Sequence, residues 1–363
     1  MATPRPRPGI LDIAPYVGGE SKIAGVNRII KLSSNESAIG PSPKAIAAHQ
    51  AAGPDMFRYP DGDSKLLREA IGRYHGLDPA RIVCGAGSDE LLHLLVTCYA
   101  MPGDEVLYNK HGFAIYPIAA MTAGAVPVAA PEVNYTASVD TLLARISSRT
   151  RLVMLANPNN PTGTYLPKAE LKRLHAGMPK DALLVIDSAY AEFVSRADYT
   201  AGEDLVDAHD NVIMTRTFSK LYGLAGLRVG WAYGPLAIVD VLNRTRPPFN
   251  VNLPAQAAAV AALDDVGHTQ KARDHNARWL PWLAAELTKL GLPPVPSVAN
   301  FVLVPLGSPQ RAKAAQDFLR TRGILVRQMG GYHLPDFLRV SVGLQDELEA
   351  FIAALGDFLK QAR

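Results

Sequence analysis

Short apolar runs rich in Val, Ile and Leu recur along the chain from Arg81. Each ends at a polar or glycine-rich turn and is followed by a helical pattern. The runs expected as strands are residues 81–84, 105–108, 125–129, 151–156, 182–186, 211–215 and 229–233. Helix-like stretches lie between them at 88–100, 167–176 and 235–243. Strands alternating with helices predict βαβ units around a mostly parallel sheet, and right-handed crossovers place helices on both faces. After Asn250 the pattern changes. Residues 255–263 and 268–290 read as long helices, followed by short strands at 301–305, 324–327 and 337–342. An amphipathic helix at 345–359 closes the chain. The expected architecture is α/β: a large domain with a mostly parallel sheet flanked by helices at 41–250, and a smaller α+β domain at 251–363. Residues 1–40 are expected as an arm and a segment packing with the small domain.

Composition narrows the function classes. At about 150 residues per domain, 363 residues allow two domains or one with a lobe. Lys and Arg number 37 against 34 Asp and Glu, a formal charge of +3. That balance argues against a nucleic-acid binder with a broad basic face. With 48% hydrophobic residues the chain is not expected to be disordered. Cys84 and Cys98 are the two cysteines, without CxxC or Cys/His ligand spacing, so neither a disulfide framework nor a metal site is expected. Both read as small buried apolar residues. No apolar run approaches the ~18 residues of a membrane span. The Pro-rich start, residues 1–9, does not read as a secretory signal and should be extended and poorly ordered unless it docks. A soluble cytoplasmic protein is expected.

Four polar clusters follow candidate parallel strands, where ligands of open α/β sheets bind. Gly85-Ala86-Gly87-Ser88-Asp89-Glu90 opens a helix whose first amides and dipole suit a phosphate, with Ser88 a candidate cap. By itself it is an ordinary βα turn, without P-loop or dinucleotide spacing. Asn157-Pro158-Asn159-Asn160-Pro161-Thr162-Gly163 is a constrained turn that aims its Asn side chains. Asp187 ends an apolar strand, where a carboxylate is costly to bury unless paired with a positive charge, and Tyr190 follows three residues on. Lys220 sits between Ser219 and an apolar, glycine-rich run, with Arg228 eight residues later. A desolvated lysine near another cation becomes a usable nucleophile, and an arginine with a serine suits a phosphate. An amine, a buried acid, a phosphate cradle, and a phenol with an amide together fit pyridoxal 5'-phosphate.

In these motifs the chain resembles the aminotransferases of pyridoxal-phosphate fold type I, most closely the histidinol-phosphate aminotransferase branch. The likeness runs from Tyr16 to Arg339. Supporting strings are Lys31-Leu-Ser-Ser-Asn-Glu36, Gly40-Pro-Ser-Pro43, Arg58-Tyr59-Pro60-Asp61-Gly62, Gly323-Ile-Leu-Val-Arg327 and Phe337-Leu-Arg339-Val-Ser-Val-Gly343. The resemblance implies that Lys220 forms the Schiff base and Asp187 pairs with the pyridinium nitrogen. Asn160 and Tyr190 correspond to partners of the ring oxygen. Gly87, Ser88, Asp89, Ser219 and Arg228 correspond to phosphate-binding positions, and Phe113 to the ring stacked on the cofactor. Tyr59 corresponds to a tyrosine that reaches a neighbouring subunit's phosphate, which implies a homodimer with shared sites. Arg339 corresponds to the substrate-anion arginine, with Arg327 and Tyr16 on the substrate side. The implied reaction passes an amino group from a small-molecule donor to a 2-oxo acid in ping-pong fashion.

The chain departs from the family's common strings in two places. It reads Asp187-Ser188-Ala189-Tyr190 where Asp-Glu-Ala-Tyr is frequent, and Asn35-Glu36-Ser37-Ala38 where Asn-Glu-Asn-Pro is frequent. The second departure leaves the substrate more open than the cofactor. An aromatic amino-acid aminotransferase and a phosphothreonine decarboxylase remain alternatives on the same scaffold. From other classes, a non-catalytic binding protein is opposed by the intact Lys220, Asp187 and Arg228 set. A dinucleotide oxidoreductase is opposed by the missing G-x-G-x-x-G.

Overall fold

The structure, a computed structural model, describes residues 4–23, 25 and 28–361. Seven strands form the main sheet: β1 (Ile82–Gly85), β2 (Glu105–Asn109), β3 (Val126–Ala130), β4 (Thr150–Ala156), β5 (Leu183–Asp187), β6 (Val212–Thr217) and β7 (Gly230–Tyr233). Their spatial order is β1-β7-β6-β5-β4-β2-β3, and only β7 runs antiparallel to its neighbours. Strands β4 and β5 carry long apolar runs, Leu152–Ala156 and Leu183–Ile186, because helices cover both faces of the sheet, whereas β6 is apolar only over Val212–Met214 and ends in Thr215-Arg216-Thr217. Their register sets Ala156 beside Asp187 and Asp187 beside Thr215. Three carboxyl ends therefore open at one level, each followed by one of the polar clusters.

Helices α1 (Pro43–Ala51) and α2 (Lys65–His75) precede the sheet. Within or beside its crossovers lie α3 (Ser88–Tyr99), α4 (Ile115–Ala123), α5 (Val139–Arg145), α6 (Lys168–Gly177), α7 (Glu203–Ala208) and α8 (Leu236–Thr245). The sequence pattern passes over α4, whose Ile-Tyr-Pro-Ile-Ala-Ala start has little polar contrast.

Next come α9 (Leu253–Asp264) and α10 (Val266–Lys289). The expected division near residue 250 puts α9 in the smaller domain, whereas Ala255, Ala258, Ala259 and Leu263 lie in the core of the larger lobe. Alanine at these positions lets α9 pack closely on α1 and α2. Helix α10 crosses between lobes: Ala272 joins the larger core, and Trp279, Leu283 and Leu287 join the smaller one.

The smaller lobe holds β8 (Phe301–Pro305), β9 (Arg327–Met329) and β10 (Leu334–Ser341) in the antiparallel order β8-β10-β9, with α11 (Pro309–Thr321) and α12 (Gln345–Gln361). The run expected as one strand at 324–327 is divided. Residues 324–325 pair in parallel with 30–31, and Arg327 begins β9. That pairing ties the segment after the arm to the smaller lobe, and Ser341 N donates to Leu32 O at 2.9 Å.

Residues 4–9 of the Pro-rich arm are exposed and precede a short turn at Ile10–Asp12, while residues 1–3 lie outside the described residues. Arg7 donates to the Thr122 carbonyl, so the arm touches the larger lobe. Cys84 is buried as expected, but Cys98 is partly exposed and donates to Thr245 Oγ1 at 3.3 Å. Among the described residues no helix is long and apolar enough to cross a membrane.

Candidate active site

A cavity of about 290 Å³ opens over the carboxyl ends of β4, β5 and β6, beneath the edge of the smaller lobe. At its floor lies Asp187, 4% exposed. Tyr116 Oη donates to Asp187 Oδ2 at 2.8 Å and Thr215 Oγ1 to Oδ1 at 3.5 Å. Burial pushes this carboxyl up to about 6, while the Tyr116 hydroxyl pulls the other way. The positive partner that its burial demands is not found among the ion pairs of the described residues. An acid held this way suits a ligand that brings its own cationic nitrogen.

The cradle beside it is built on glycine. Gly87 has φ +84°, and a Cβ there would lie 2.5 Å from Arg228 Nη2. The space a side chain would fill is thus occupied by the guanidinium. Arg228 Nη1 donates to Ser219 Oγ at 3.3 Å, and Nη2 lies 3.4 Å from Asp89 Oδ2. The Asp89 carboxylate therefore holds the arginine, which leaves its contribution to an anion to the main chain. Gly87, not the expected Ser88, is the cap residue of α3, and Ser88 starts the helix without a side-chain cap. Glu90 instead accepts from Ala86 N at 2.7 Å and fixes the loop from below. The first turn of α3 supplies amides without intrahelical partners and the positive end of its dipole. Ser88, Ser219 and Arg228 complete a set of donors that fits a phosphate.

Lys220 lines the cavity between this cradle and the smaller lobe, its Nζ 5.5 Å from the centre of the Tyr190 ring. Burial, and then the charge of Arg339, push its amine down to about 8. Tyr190 Oη accepts from Asn35 Nδ2 at 3.0 Å, and burial pushes the phenol up to about 12. Asn160 Oδ1 accepts from Arg339 Nη1 at 2.6 Å, and Ser33 O accepts from Nη2 at 3.0 Å. Arg339 is 2% exposed and its Nε has no partner. Desolvation lowers its pKa from the ordinary value. Arg327 holds the arm, donating to Tyr16 Oη at 3.1 Å and to Val17 O at 2.7 Å. Phe113 forms another wall.

All the expected site residues except Gly87 and Tyr59 border the cavity, and Gly87 lies behind it against Arg228. Tyr59 is 82% exposed and stacks on Phe249 with ring centres 4.5 Å apart, outside this chain's own cavity. Three contributors were not assigned from sequence. Asn35 lay inside a quoted string, but its bond to Tyr190 joins residues far apart in the chain. Thr217 ends β6 and lines the wall. Tyr116 had one usable signal, its place three residues after Phe113 at the start of a helix.

A perturbed lysine, a buried acid awaiting a cation, and a phosphate cradle at the carboxyl ends of a parallel sheet define a pyridoxal-phosphate-dependent transferase. Residues 27–355 match the family model described as aminotransferase class I and II, and the chain belongs to that family of enzymes. It is 59% identical over 361 residues to histidinol-phosphate aminotransferase of Paramagnetospirillum magneticum, covering 99% of each chain. The corresponding protein of Rhodospirillum centenum is also 59% identical, with 99% of this chain and 100% of the relative covered. Among solved structures, histidinol-phosphate aminotransferase from Sinorhizobium meliloti in complex with pyridoxal-5'-phosphate superposes with a TM-score of 0.91. It is 31% identical, and the match covers 100% of this chain and 99% of that one.

Proposed function

We propose that this chain is a histidinol-phosphate aminotransferase, exchanging an amino group between histidinol phosphate and the glutamate/2-oxoglutarate pair on pyridoxal 5'-phosphate. The observation that carries the reading is the register of β9 and β10, which sets Arg327 directly opposite Arg339 beside Lys220. Like charges facing each other across a strand pair are unfavourable unless an anion joins them. A guanidinium fork accepts a carboxylate or a phosphate alike, which a site serving both substrates needs. The names carried by the relatives at 59% identity support the substrate.

When bound, the cofactor supplies an aldehyde that takes up the amino group and a ring that accepts electrons from the substrate carbon. The protein does the rest. Ser88, Ser219, Arg228 and the α3 amides would hold the phosphate, and Phe113 would line the ring. Asp187 would keep a proton at the ring nitrogen by its charge. Tyr190 and Asn160 would orient the ring oxygen. Lys220, its amine pushed down to about 8 by burial and by Arg339, would take the proton from the substrate α-carbon at Nζ. Arg339 and Arg327 bind the anionic end and fix which bond faces Lys220.

The chain is proposed to work as a homodimer in which Tyr59 reaches the partner's phosphate. Support comes from its exposure together with that of Met56 and Phe57, an apolar patch on the larger lobe. A cytoplasmic location is supported by two free cysteines and no disulfide.

A substrate panel on the purified protein tests the reading. Histidinol phosphate with 2-oxoglutarate should turn over at least about tenfold faster, as kcat/KM, than phenylalanine or tyrosine. Preference for the aromatic amino acids overturns the substrate, and carbon dioxide release without any oxo acid overturns the reaction. Mixing K220A with Y59F protein should regain activity if the sites are shared, and two inactive partners that stay inactive overturn the dimer.

A further inference from the structure

We infer that Tyr116 is a positioning residue for the cofactor site, one buried side chain that sets both the acid and the flanking ring. The inference rests on the reading above, in which Asp187 meets the cofactor's ring nitrogen. Tyr116 lies in the first turn of α4 and is fully buried. Its hydroxyl donates to Asp187 Oδ2 at 2.8 Å. Its ring meets that of Phe113 edge to face, with centres 6.0 Å apart and planes at 89°. Phe113 lies three residues earlier, in the turn leading into α4, and its carbonyl accepts from Tyr116 N at 3.0 Å, so one local segment delivers both contacts.

The chemistry of the pair is directional. A phenol beside a carboxylate donates, and the bond favours the ionised acid. Burial and the nearby Asp89 both act against that ionisation, and Tyr116 is the nearest group that restores it. The other titratable groups around Asp187 are Tyr190, on the turn after β5, and Lys220, which borders the same cavity. Thr215, from β6, is a weaker donor at 3.5 Å. The Tyr116 phenol is itself held far above the ordinary range by burial and by Asp187, so it stays a donor at any working pH.

The test compares wild type with Y116F, which keeps the ring and removes one oxygen, in wild-type and D187N backgrounds. Apoprotein is titrated with pyridoxal phosphate across pH. Y116F should weaken cofactor binding about tenfold near neutrality. It should also move the acid-side loss of affinity up by about one pH unit. The cofactor's own titrations are common to both proteins and cancel in the comparison. In the D187N background the same substitution should change affinity less than twofold. Incorporating 3,5-difluorotyrosine at position 116 strengthens the donor without changing its shape, and should move the acid limb the opposite way. Unaltered affinity and pH dependence in Y116F overturn the inference, as does an equal loss in both backgrounds. Should Y116F not fold, an unmoved acid limb in the fluorinated protein overturns it instead. If D187N itself binds the cofactor as wild type does, the functional reading fails, and the two failures are told apart.

Discussion

Arg339 Nη1 donates to Asn160 Oδ1 at 2.6 Å, so a side chain of the smaller lobe is docked on the rigid turn that follows β4 of the larger one. This bond does not neutralise the guanidinium, which is buried without an acidic partner among the described residues. A buried cation kept in that condition is costly to stability and useful for binding an anion.

Arg339→Met should therefore separate the two roles. The KM for carboxylate substrates should rise at least about tenfold, the usual scale for losing a charge-assisted hydrogen bond. Thermal stability of the apoprotein should stay level or increase, since an uncompensated charge is removed. Steady-state kinetics and calorimetry on one preparation check both.

Lys220→Ala should reduce turnover by about a hundredfold to ten-thousandfold, the range for removing a positioned acid–base group. Among the described residues its ammonium has no hydrogen-bond or ion-pair partner, so circular dichroism and the unfolding midpoint should change little. Near-normal turnover would remove the central assignment.

The amine of Lys220 is pushed down to about 8, so the rate of cofactor capture by apoprotein should climb as pH rises through about 8 and then level off. In the Arg339→Met protein this step should move to higher pH, because a neighbouring positive charge is gone. The same group makes stability pH-dependent. Between about 8 and its ordinary 10.5 the unfolded chain binds a proton that the folded apoprotein does not, so apoprotein stability should rise with pH across that window. Stopped-flow absorbance and urea unfolding at several pH values are the measurements.

Gly87→Ala should lose cofactor affinity by at least about tenfold while the fold persists. The added methyl group would sit 2.5 Å from Arg228 Nη2 at a backbone φ of +84°, so the guanidinium must leave the cradle. Fluorescence titration of the apoprotein with pyridoxal phosphate reads the loss directly.

Behind the site, Arg216 lies 3.3 Å from Glu192 and also bonds Glu203. Arg216 stands four residues before Lys220, and Glu192 two after Tyr190, so this ion pair joins the two catalytic loops from beneath. Arg216→Met should destabilise by about 3–5 kcal/mol, because it leaves the buried Glu192 carboxylate without its partner, and Glu192→Met by less, because Arg216 keeps Glu203. The double substitution should cost less than the sum of the two, as shown by a urea-unfolding cycle.

Much of the architecture was determined by the sequence alone. Runs such as Leu183–Ile186 are apolar throughout because both faces of a parallel strand are buried, and such runs read clearly in one dimension. The turns after them advertise their chemistry through Pro, Gly, Asn and Lys at close spacing, as in residues 157–163 and 219–228. What tertiary structure decided was every relationship between distant segments: Asn35 against Tyr190, Tyr116 against Asp187, Arg339 against Asn160, and α9 with the larger lobe. Tyr116 gave little beyond its place after Phe113 because its apolar surroundings hide a polar task, and the lobe of α9 was open because an alanine-rich helix fits either core. Local propensity and periodicity act along the chain, whereas burial, desolvation and charge pairing act across space, and only the folded chain specifies which groups meet.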